Sequence, residues 1–324
     1  MSTPRTLIDA VKFFAVPQNC LEYSVARRWP NGVTCPSCGS GGVYFDKSRM
    51  GWICKTKHPL RKFSLKTGTI FEDSPLGLDK WLPAVWMIAN MKNGVSSHEL
   101  GRSLGVTQKS AWFMLHRIRL AMQGTNGRKL GGDVEVDETF IGGKARNMHA
   151  TKRKRLGISQ SRSMIGKVAV MGLLERHTKD DGGSQVRFKV IANRKKHQLE
   201  AVITEHVTPG ANVYTDALKS YDRMGERGYV HAVIDHAEAY VDGAVHTNGL
   251  ENFWSLLKRG LKGTYISVEP FHLFRYLDEQ AFRFNHRRDM NDADRFSMAV
   301  SGILGRRLTY SDLIGPVNAG SSPI

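Results

Sequence analysis

Apolar residues recur every three or four positions in two stretches of the first 123 residues. This spacing is typical of one face of an amphipathic α-helix. Asn93-Gly94 and Gly105 interrupt the pattern, and serine or threonine precedes the segments that follow. Serine and threonine cap helix N-termini, because their side-chain oxygen accepts a hydrogen bond from a free backbone N–H. The pattern predicts helices within residues 1–30 and at 78–91, 97–104 and 107–123.

The pattern changes after the glycine-rich stretch at 124–132, which indicates a domain boundary. Polar and apolar residues alternate in DVEVDETF and QVRFKVIA, whereas KVAVMGLLE is almost continuously apolar. Alternation indicates a half-buried strand, and a short apolar run indicates a buried one. We predict strands at 133–140, 167–175, 185–192, 213–217 and 229–234, and helices at 196–206, 247–261 and 271–287. This succession predicts an α/β domain with a mixed sheet.

Three of the four cysteines cluster in a short glycine-containing segment near the N-terminus. Cys35 and Cys38 form a CPxCG turn, fifteen residues separate Cys38 from Cys54, and His58 follows four positions after Cys54. Two ligands on each of two turns can surround a tetrahedral Zn²⁺, with His58 in place of the expected fourth cysteine. The alternative is three free thiols that happen to lie close together. We predict one structural Zn²⁺ and interpret Cys20 as an ordinary buried thiol.

The charge balance favours a polyanionic partner for the N-terminal part of the chain. The 324 residues carry a net charge of +17 and a sequence pI of about 9.8. Residues 1–130 contribute +12 of this and residues 131–324 only +5. Because each neutralised phosphate releases counterions, an excess of this size favours nucleic acid. We therefore expect one part of the chain to bind a polyanion and another to do something else.

Other classes of protein lack their signatures in this chain. No apolar run reaches the length of a membrane helix, and no leader with a cleavage site is recognisable, so we expect a cytoplasmic protein. Four cysteines are too few for a disulfide scaffold. The motifs GxxxxGK[ST], GxGxxG, HExxH and GxSxG are absent, and we therefore expect no nucleotide cofactor.

The helices between 97 and 123 have the form of a helix-turn-helix. Leucines of the first helix and apolar residues of the second would form its core on either side of Gly105. Side chains of the types that reach base edges and phosphates would then face outward. They are Gln108, Lys109, Ser110, Arg117 and Arg119. The alternative is a plain helical hairpin whose basic face is merely solvated.

Acidic residues mark the predicted strands of the α/β domain. Asp137 and Asp216 lie on strands, and Glu251 lies on a predicted helix, with Lys258 two turns further along the same face. Two strand-borne aspartates and a helix-borne glutamate could bind two Mg²⁺ or Mn²⁺ ions for phosphoryl transfer. For any one of these acids the alternative is a turn cap or a surface charge.

The order of the motifs resembles that of a known family. CPxCG is followed by KTGTIFEDSPLGLDKWLPAVWM, VEVDETFIGGK, YTDALKSY, HTNGLENFWSLLKRGLKGTY and RYLDEQAFRFNHR. Over about residues 15–290 the chain resembles bacterial insertion-sequence transposases with a zinc ribbon and an ISXO-type DDE catalytic domain. The resemblance implies an RNase H-like fold for the α/β domain.

The same resemblance implies a role for each acidic residue. Asp137, Asp216 and Glu251 would be the catalytic carboxylates that bind the Mg²⁺ or Mn²⁺ ions, and Lys258 would lie beside the terminal phosphate. Some members of the group carry asparagine as the third catalytic residue. Asn248, one turn before Glu251, is therefore the alternative third residue.

A strongly basic segment adjoins the first of these acids. Lys144 to Lys167 contains eight lysines and arginines and no acid, which indicates a DNA-backbone clamp or mobile loop, with a solvated run as the alternative. Its candidate DNA-binding residues are Lys144, Lys152, Arg153, Lys154 and Arg155. Trp254 could stack on an unpaired base, but a core aromatic is the favoured interpretation.

We divide the chain accordingly into five parts. They are a helical lead-in at 1–30, a zinc ribbon at 31–72, a helix-turn-helix at 76–124, an RNase H-like DDE domain at 131–290 and a C-terminal tail at 291–324. The predicted function is a DNA transposase that binds terminal inverted repeats, cleaves the element ends and joins them to target DNA. We expect double-stranded DNA as partner, a homodimer or larger synaptic assembly, association with the bacterial nucleoid and no membrane. The alternatives are a transcription regulator with a degenerate effector domain and a structure-specific RNase H-like nuclease.

Overall fold

The computed structural model divides the chain into two compact units. The residues described are 4–124, 127–143, 148–155, 157, 166–177, 182–216, 221, 224–234 and 246–315. The first unit comprises residues 1–123 and 290–324, and the second comprises residues 124–289.

The first unit contains helices and one small antiparallel sheet. Its helices are α1 (Leu7–Phe14), α2 (Pro17–Arg28), α3 (Leu78–Asn90), α4 (Ser97–Leu104), α5 (Gln108–Met122), α10 (Asp292–Ser301) and α11 (Tyr310–Ile314). Its strands are β1 (Val43–Asp46), β2 (Gly51–Cys54) and β3 (Lys62–Phe63), in the order β1-β2-β3. α2 begins at Pro17 because the fixed φ of proline suits the first helical position. Side chains of α2 pack with those of the sheet around Trp29 and Trp52.

The C-terminal residues form part of the core of this first unit. α10 begins with a capping box between Asn291 and Asp294. The side chain of Phe296 is completely buried, and its ring lies 5.0 Å from that of Trp86 and 5.6 Å from that of Phe14. The description of residues 291–324 as a tail is therefore wrong for 291–315. The sequence did not predict this helix as part of the core because α10 has few apolar positions, and these pack against residues far away in the sequence.

The second unit is built on a five-stranded sheet. Its strands are β4 (Asp133–Ile141), β5 (Val168–Glu175), β6 (Gln185–Ile191), β7 (Asn212–Asp216) and β8 (Val230–Ile234). Its helices are α6 (Ala150–Arg155), α7 (Lys196–His206), α8 (Asn248–Gly260) and α9 (Leu273–Asn285). The strand order is β6-β5-β4-β7-β8; β5 is antiparallel to β4 and β6, whereas β7 is parallel to β4 and β8. The predicted α/β domain with a mixed sheet is confirmed.

Two separate cores cover the two faces of this sheet. α7 packs on one face, against Val134 and Val136 of β4. α8 and α9 pack on the other, against Val170 and Leu174 of β5. β5 is apolar along its length because both of its faces are covered. The central strands are thus held rigidly from both sides.

Helices in the described part of the chain are all too short or too polar to cross a membrane.

Candidate functional site

The register of the central strands brings two of the predicted acids together. The parallel pairing of β4 with β7 sets Asp133 opposite Asn212 and Glu135 opposite Tyr214. Two residues beyond this pairing, on the same face, come Asp137 in the middle of β4 and Asp216 at the carboxyl end of β7, and the charge of Asp216 acts on Asp137. These residues are 79 positions apart in the sequence, and only the parallel pairing makes them neighbours.

Helix α8 lies over this same face and carries the third predicted acid. The backbone N–H of Leu250 donates to Oε2 of Glu135 at 2.9 Å, and Nε1 of Trp254 donates to Oδ2 of Asp137 at 2.9 Å. These two hydrogen bonds attach α8 to β4, one at Leu250 in the first turn of the helix and the other one turn later at Trp254. Glu251, between the two donors in sequence, is exposed at the surface of the helix.

Trp254 is therefore a core aromatic, as favoured from the sequence, rather than a free stacking surface. Only 4% of its surface is exposed. Its indole N–H is also a hydrogen-bond donor to Asp137, a contact that was not predicted from the sequence.

A glycine on β5 makes the approach of α8 possible. Gly172 is the cross-strand partner of Asp137. A Cβ atom at this position would lie 2.6 Å from Cζ2 of Trp254 and 2.9 Å from Cδ2 of Leu250. The indole occupies the space that a side chain on β5 would otherwise fill.

We expect Gly172→Ala to lower the free energy of unfolding by about 1–3 kcal/mol, because the added methyl overfills a packed core. The measurement is urea unfolding followed by tryptophan fluorescence. The matched control is Gly225→Ala, since a Cβ there meets no atom within 4 Å. Equal stability of the two variants would contradict the tight contact between α8 and β5.

Burial and neighbouring charge act together on the carboxyl of Asp137. The pKa of Asp137 is raised to about 6, mainly because the carboxyl is buried. The hydrogen bond from Trp254 lowers this pKa, whereas the negative charges of Asp216 and Glu251 raise it. The three predicted acids thus interact electrostatically. A cluster of negative charge in a partly buried place favours the binding of a cation.

An unpartnered oxygen points to the same conclusion. Oδ1 of Asp216 is buried and has no hydrogen-bond partner among the described residues. Buried carboxylate oxygens nearly always have a hydrogen-bond partner. An oxygen without one is suited to bind a cation. Hard carboxylate oxygens are the donors that Mg²⁺ and Mn²⁺ prefer. The acids are nevertheless more open than a closed metal cage, since the described residues include only one cluster of ligand atoms within 4.8 Å, and it is not this one.

The remaining candidates for this site share one helix. Asn248 and Glu251 are both exposed, one turn apart on α8, and Lys258 is half-buried two turns after Glu251. Of Asn248 and Glu251, it is Glu251 that contributes to the charge that Asp137 experiences.

A fourth acid close to this site escaped the sequence analysis. Glu138 follows Asp137 and faces the opposite core, where the O–H of Tyr221 donates to its Oε1. The pKa of Glu138 is raised to about 7, mainly because the carboxyl is buried. The hydrogen bond from Tyr221 lowers this pKa, whereas the charges of Asp216 and Asp137 raise it. The sequence could have identified Glu138, because it is an acid at a position of DETF where the alternation predicts an apolar residue.

The closed cluster of ligand atoms belongs to the first unit. Atoms of Cys35, Cys38, Cys54 and His58 all lie within 4.8 Å of one another. The Sγ atoms of Cys38 and Cys54 are 3.7 Å apart, and Sγ of Cys35 is 3.4 Å from Nε2 of His58. A tetrahedral Zn²⁺ with Zn–S bonds of about 2.3 Å sets its ligands about 3.5–3.8 Å apart. The four side chains therefore fit this ion.

Hydrogen bonds around Cys35 favour its ionised form. Burial raises the pKa of Cys35, but hydrogen bonds from the backbone N–H groups of Ser37 and Cys38 and from the side chains of Cys38 and Cys54 lower it, and its pKa is lowered overall. The thiolate is the form of cysteine that binds metal. His58, which the sequence predicts as the fourth ligand, lies in the cluster.

Comparison with known proteins identifies the family. Residues 129–285 match the ISXO2-like transposase domain, and residues 18–56 match the transposase zinc-ribbon domain. A protein of the transposable element ISH50 of Halobacterium salinarum is 28% identical over 269 residues, which cover 78% of this chain and 85% of that protein. A transposase-like protein of Haemophilus influenzae is 34% identical over 116 residues, which cover 36% of this chain and 93% of that protein. The chain belongs to the ISXO2-like insertion-sequence transposases.

The transposase has the two helices that the helix-turn-helix pattern predicts. Ser96 caps α4 in a capping box with Glu99, Gly105 takes a left-handed conformation with φ of 66°, and Thr107 caps α5. Gln108 and Lys109 are exposed at the start of α5, and Ser110 is half-buried there. Nε2 of Gln108 donates to Oγ of Ser97, 2.8 Å away.

The prediction that Arg117 and Arg119 face outward is wrong. Both are buried, and Arg117 is only 4% exposed. Its guanidinium donates to three backbone carbonyls, those of Leu308, Ile70 and Glu72, at 2.8–3.0 Å. Segments before α3 and between α10 and α11 close over this side of α5, which a two-helix pattern does not reveal. Arg117 therefore supports the fold of the transposase.

We expect Arg117→Ala to destabilise the first unit by about 1–3 kcal/mol, because buried carbonyls lose their donor. Thermal unfolding followed by circular dichroism measures this. Lys109→Ala is the matched control on the same helix, and we expect it to change stability by less than about 0.5 kcal/mol because Lys109 is exposed. A stability loss confined to Lys109→Ala would contradict the assignment.

Residues of the predicted basic clamp are described only in part. α6 contains Arg153 and Lys154, and both side chains are exposed. Lys144 lies outside the described residues, as do the side chains of Lys152 and Arg155.

Proposed function

We propose that this transposase cleaves the ends of its insertion sequence and joins the freed 3′-hydroxyls to target DNA. The observation that carries the proposal is the parallel register of β4 and β7, which sets Asp137 beside Asp216 under a helix that bears Glu251. Two strand-borne aspartates and a helix-borne glutamate on one sheet face are suited to hold divalent cations against a phosphodiester.

Asp137, Asp216 and Glu251 would hold two Mg²⁺ or Mn²⁺ ions. When bound, these ions supply activation of the attacking hydroxyl and neutralisation of charge on the scissile phosphate. Trp254 fixes one oxygen of Asp137, and the backbone N–H of Glu138 fixes the other at 2.8 Å, so that the carboxylate keeps one orientation. Lys258 would contact the phosphate beside the reacting group. Asn248 remains the alternative third residue.

The first unit would bind the element ends. The exposed Gln108 and Lys109, with Ser110, lie at the start of the second helix of a helix-turn-helix, which is the part that enters the major groove. One Zn²⁺ at the Cys35–His58 cluster would hold the ribbon together, and four protein ligands would leave no open position for catalysis. Arg153 and Lys154 of the second unit would contact the DNA backbone. Because two ends must be paired, we propose a dimer or larger assembly on DNA.

The test is incubation of the full-length protein with labelled duplexes that carry the element ends, together with Mg²⁺ or Mn²⁺ and a target plasmid. We expect nicked strands and, later, strands joined to the target. Nicking without joining would instead indicate a structure-specific nuclease. Sequence-specific binding without any nicking would indicate a transcription regulator.

A further inference from the structure

A buried ion pair lies behind the proposed catalytic acids. Glu135 is two residues before Asp137 on β4, on the same face, and its side chain is only 1% exposed. Its Oε1 accepts from Nε of Arg176 at 2.7 Å. A charge buried this deeply is tolerated only if it is paired and hydrogen-bonded.

The other oxygen of Glu135 caps helix α8. Oε2 accepts from the backbone N–H of Leu250 at 2.9 Å, and the N-cap residue Thr247 makes no side-chain cap of its own. A negative charge is favourable at a helix N-terminus, where backbone N–H groups lack partners. A Cβ at Gly249 would lie 2.9–3.0 Å from the two carboxylate oxygens, so the first turn rests directly on Glu135. The next residue after Leu250 is Glu251.

The cation of the pair contacts the remaining strand. The guanidinium of Arg176 lies over the ring of Tyr214, 4.5 Å from its centre, and Tyr214 is two residues before Asp216 on β7. Arg176 also donates to the backbone carbonyl of His246, just before α8. Nδ1 of His246 is 3.5 Å from Oε1 of Glu135. Each element that carries a proposed acid is therefore held one or two residues away from that acid.

We propose that Glu135 and Arg176 are positioning residues that set the spacing of Asp137, Asp216 and Glu251. This inference rests on the proposed function, since it assigns the pair to the same metal-binding acids. Partners behind the metal ligands orient them and are worth about 10- to 100-fold in metal affinity. Without the pair, the first turn of α8 loses its anionic cap, and Glu251 is tied to the strands only through the packing of α8 and the bond from Trp254 to Asp137.

The test measures Mn²⁺ affinity by electron paramagnetic resonance and amide exchange by mass spectrometry on the full-length protein. For Glu135→Ala we expect Mn²⁺ affinity to fall about 10- to 100-fold. We also expect faster exchange in the peptide that contains Leu250 and Glu251. The matched control is Glu200→Ala, which removes a buried carboxylate of α7, on the other face of the sheet, that pairs with the more exposed Arg227 at 2.9 Å. It should change neither measurement, even where it lowers thermal stability as much.

A second variant keeps the test decisive if Glu135→Ala does not fold. Glu135→Gln retains an acceptor for the Leu250 N–H but loses the charge that pairs with Arg176, so we expect a smaller loss of Mn²⁺ affinity. Wild-type affinity and exchange in the folded Glu135 variants, or an equal loss in Glu200→Ala, would overturn the inference. If Asp137→Asn also leaves Mn²⁺ binding unchanged, the proposed catalytic site fails. The exchange of α8 needs no metal and still decides whether Glu135 holds the helix.

Discussion

Asp137→Ala should abolish nicking and joining of element ends while leaving the binding of those ends intact. Asp137 accepts a hydrogen bond from Trp254 of α8 and also experiences the charges of Asp216 and Glu251. Its loss removes a central metal ligand, and the several kcal/mol of transition-state stabilisation that metal ions supply correspond to about a thousandfold or more in rate. Binding of the ends is assigned to the first unit, which this change does not touch.

Two matched variants make this result interpretable. Asp137→Asn keeps the size of the side chain and an acceptor for Trp254, and it should be as inactive as the alanine variant. Asp133→Ala removes another carboxylate from the same face of β4, one that accepts from Asn212 and Tyr214 at the far end of the strand. It should retain most activity. Gel-shift and strand-transfer assays on the same duplexes measure both quantities, and an equal loss of binding and cleavage in Asp137→Ala would refute the division of labour.

Cys54→Ala should release the Zn²⁺ and abolish binding of element ends. Cys54 ends β2, is completely buried and packs with Trp29, Trp52 and Phe63 in the core of the ribbon. Binding of Zn²⁺ contributes about 10–16 kcal/mol to the folding of small zinc domains, far more than this short sheet could supply by itself. The expected result is less than one equivalent of zinc by mass spectrometry and loss of the gel shift.

Cys20→Ala is the matched control for the zinc experiment. Cys20 is also a buried cysteine of the first unit, but its Sγ donates to the carbonyl of Phe14 at 3.1 Å and lies outside the cluster. This variant should keep one equivalent of zinc and bind DNA. His58→Cys should also retain zinc, because a thiolate can replace the imidazole, whereas His58→Ala should lose it. Full zinc content in His58→Ala would show that the fourth ligand is another residue.

The sequence by itself determined most helices and strands of the α/β domain and the cluster of zinc-type ligands. Strand and helix periodicity is a local property, and the predicted strands and helices of the α/β domain appear within a few residues of their observed ends. The four zinc-type ligands lie within 24 residues of one another, so that their spacing was enough to group them.

Only the tertiary structure decided how these elements meet. The neighbour order β6-β5-β4-β7-β8 and its register join Asp137 to Asp216, because long-range packing sets which strands pair. The same packing buries Arg117 against the carbonyls of Ile70, Glu72 and Leu308, which are far from it in the sequence, and it makes Trp254 a partner of Asp137. A side chain's type limits the contacts that it can make, but the burial and partners that fix its role come from residues far away in the chain.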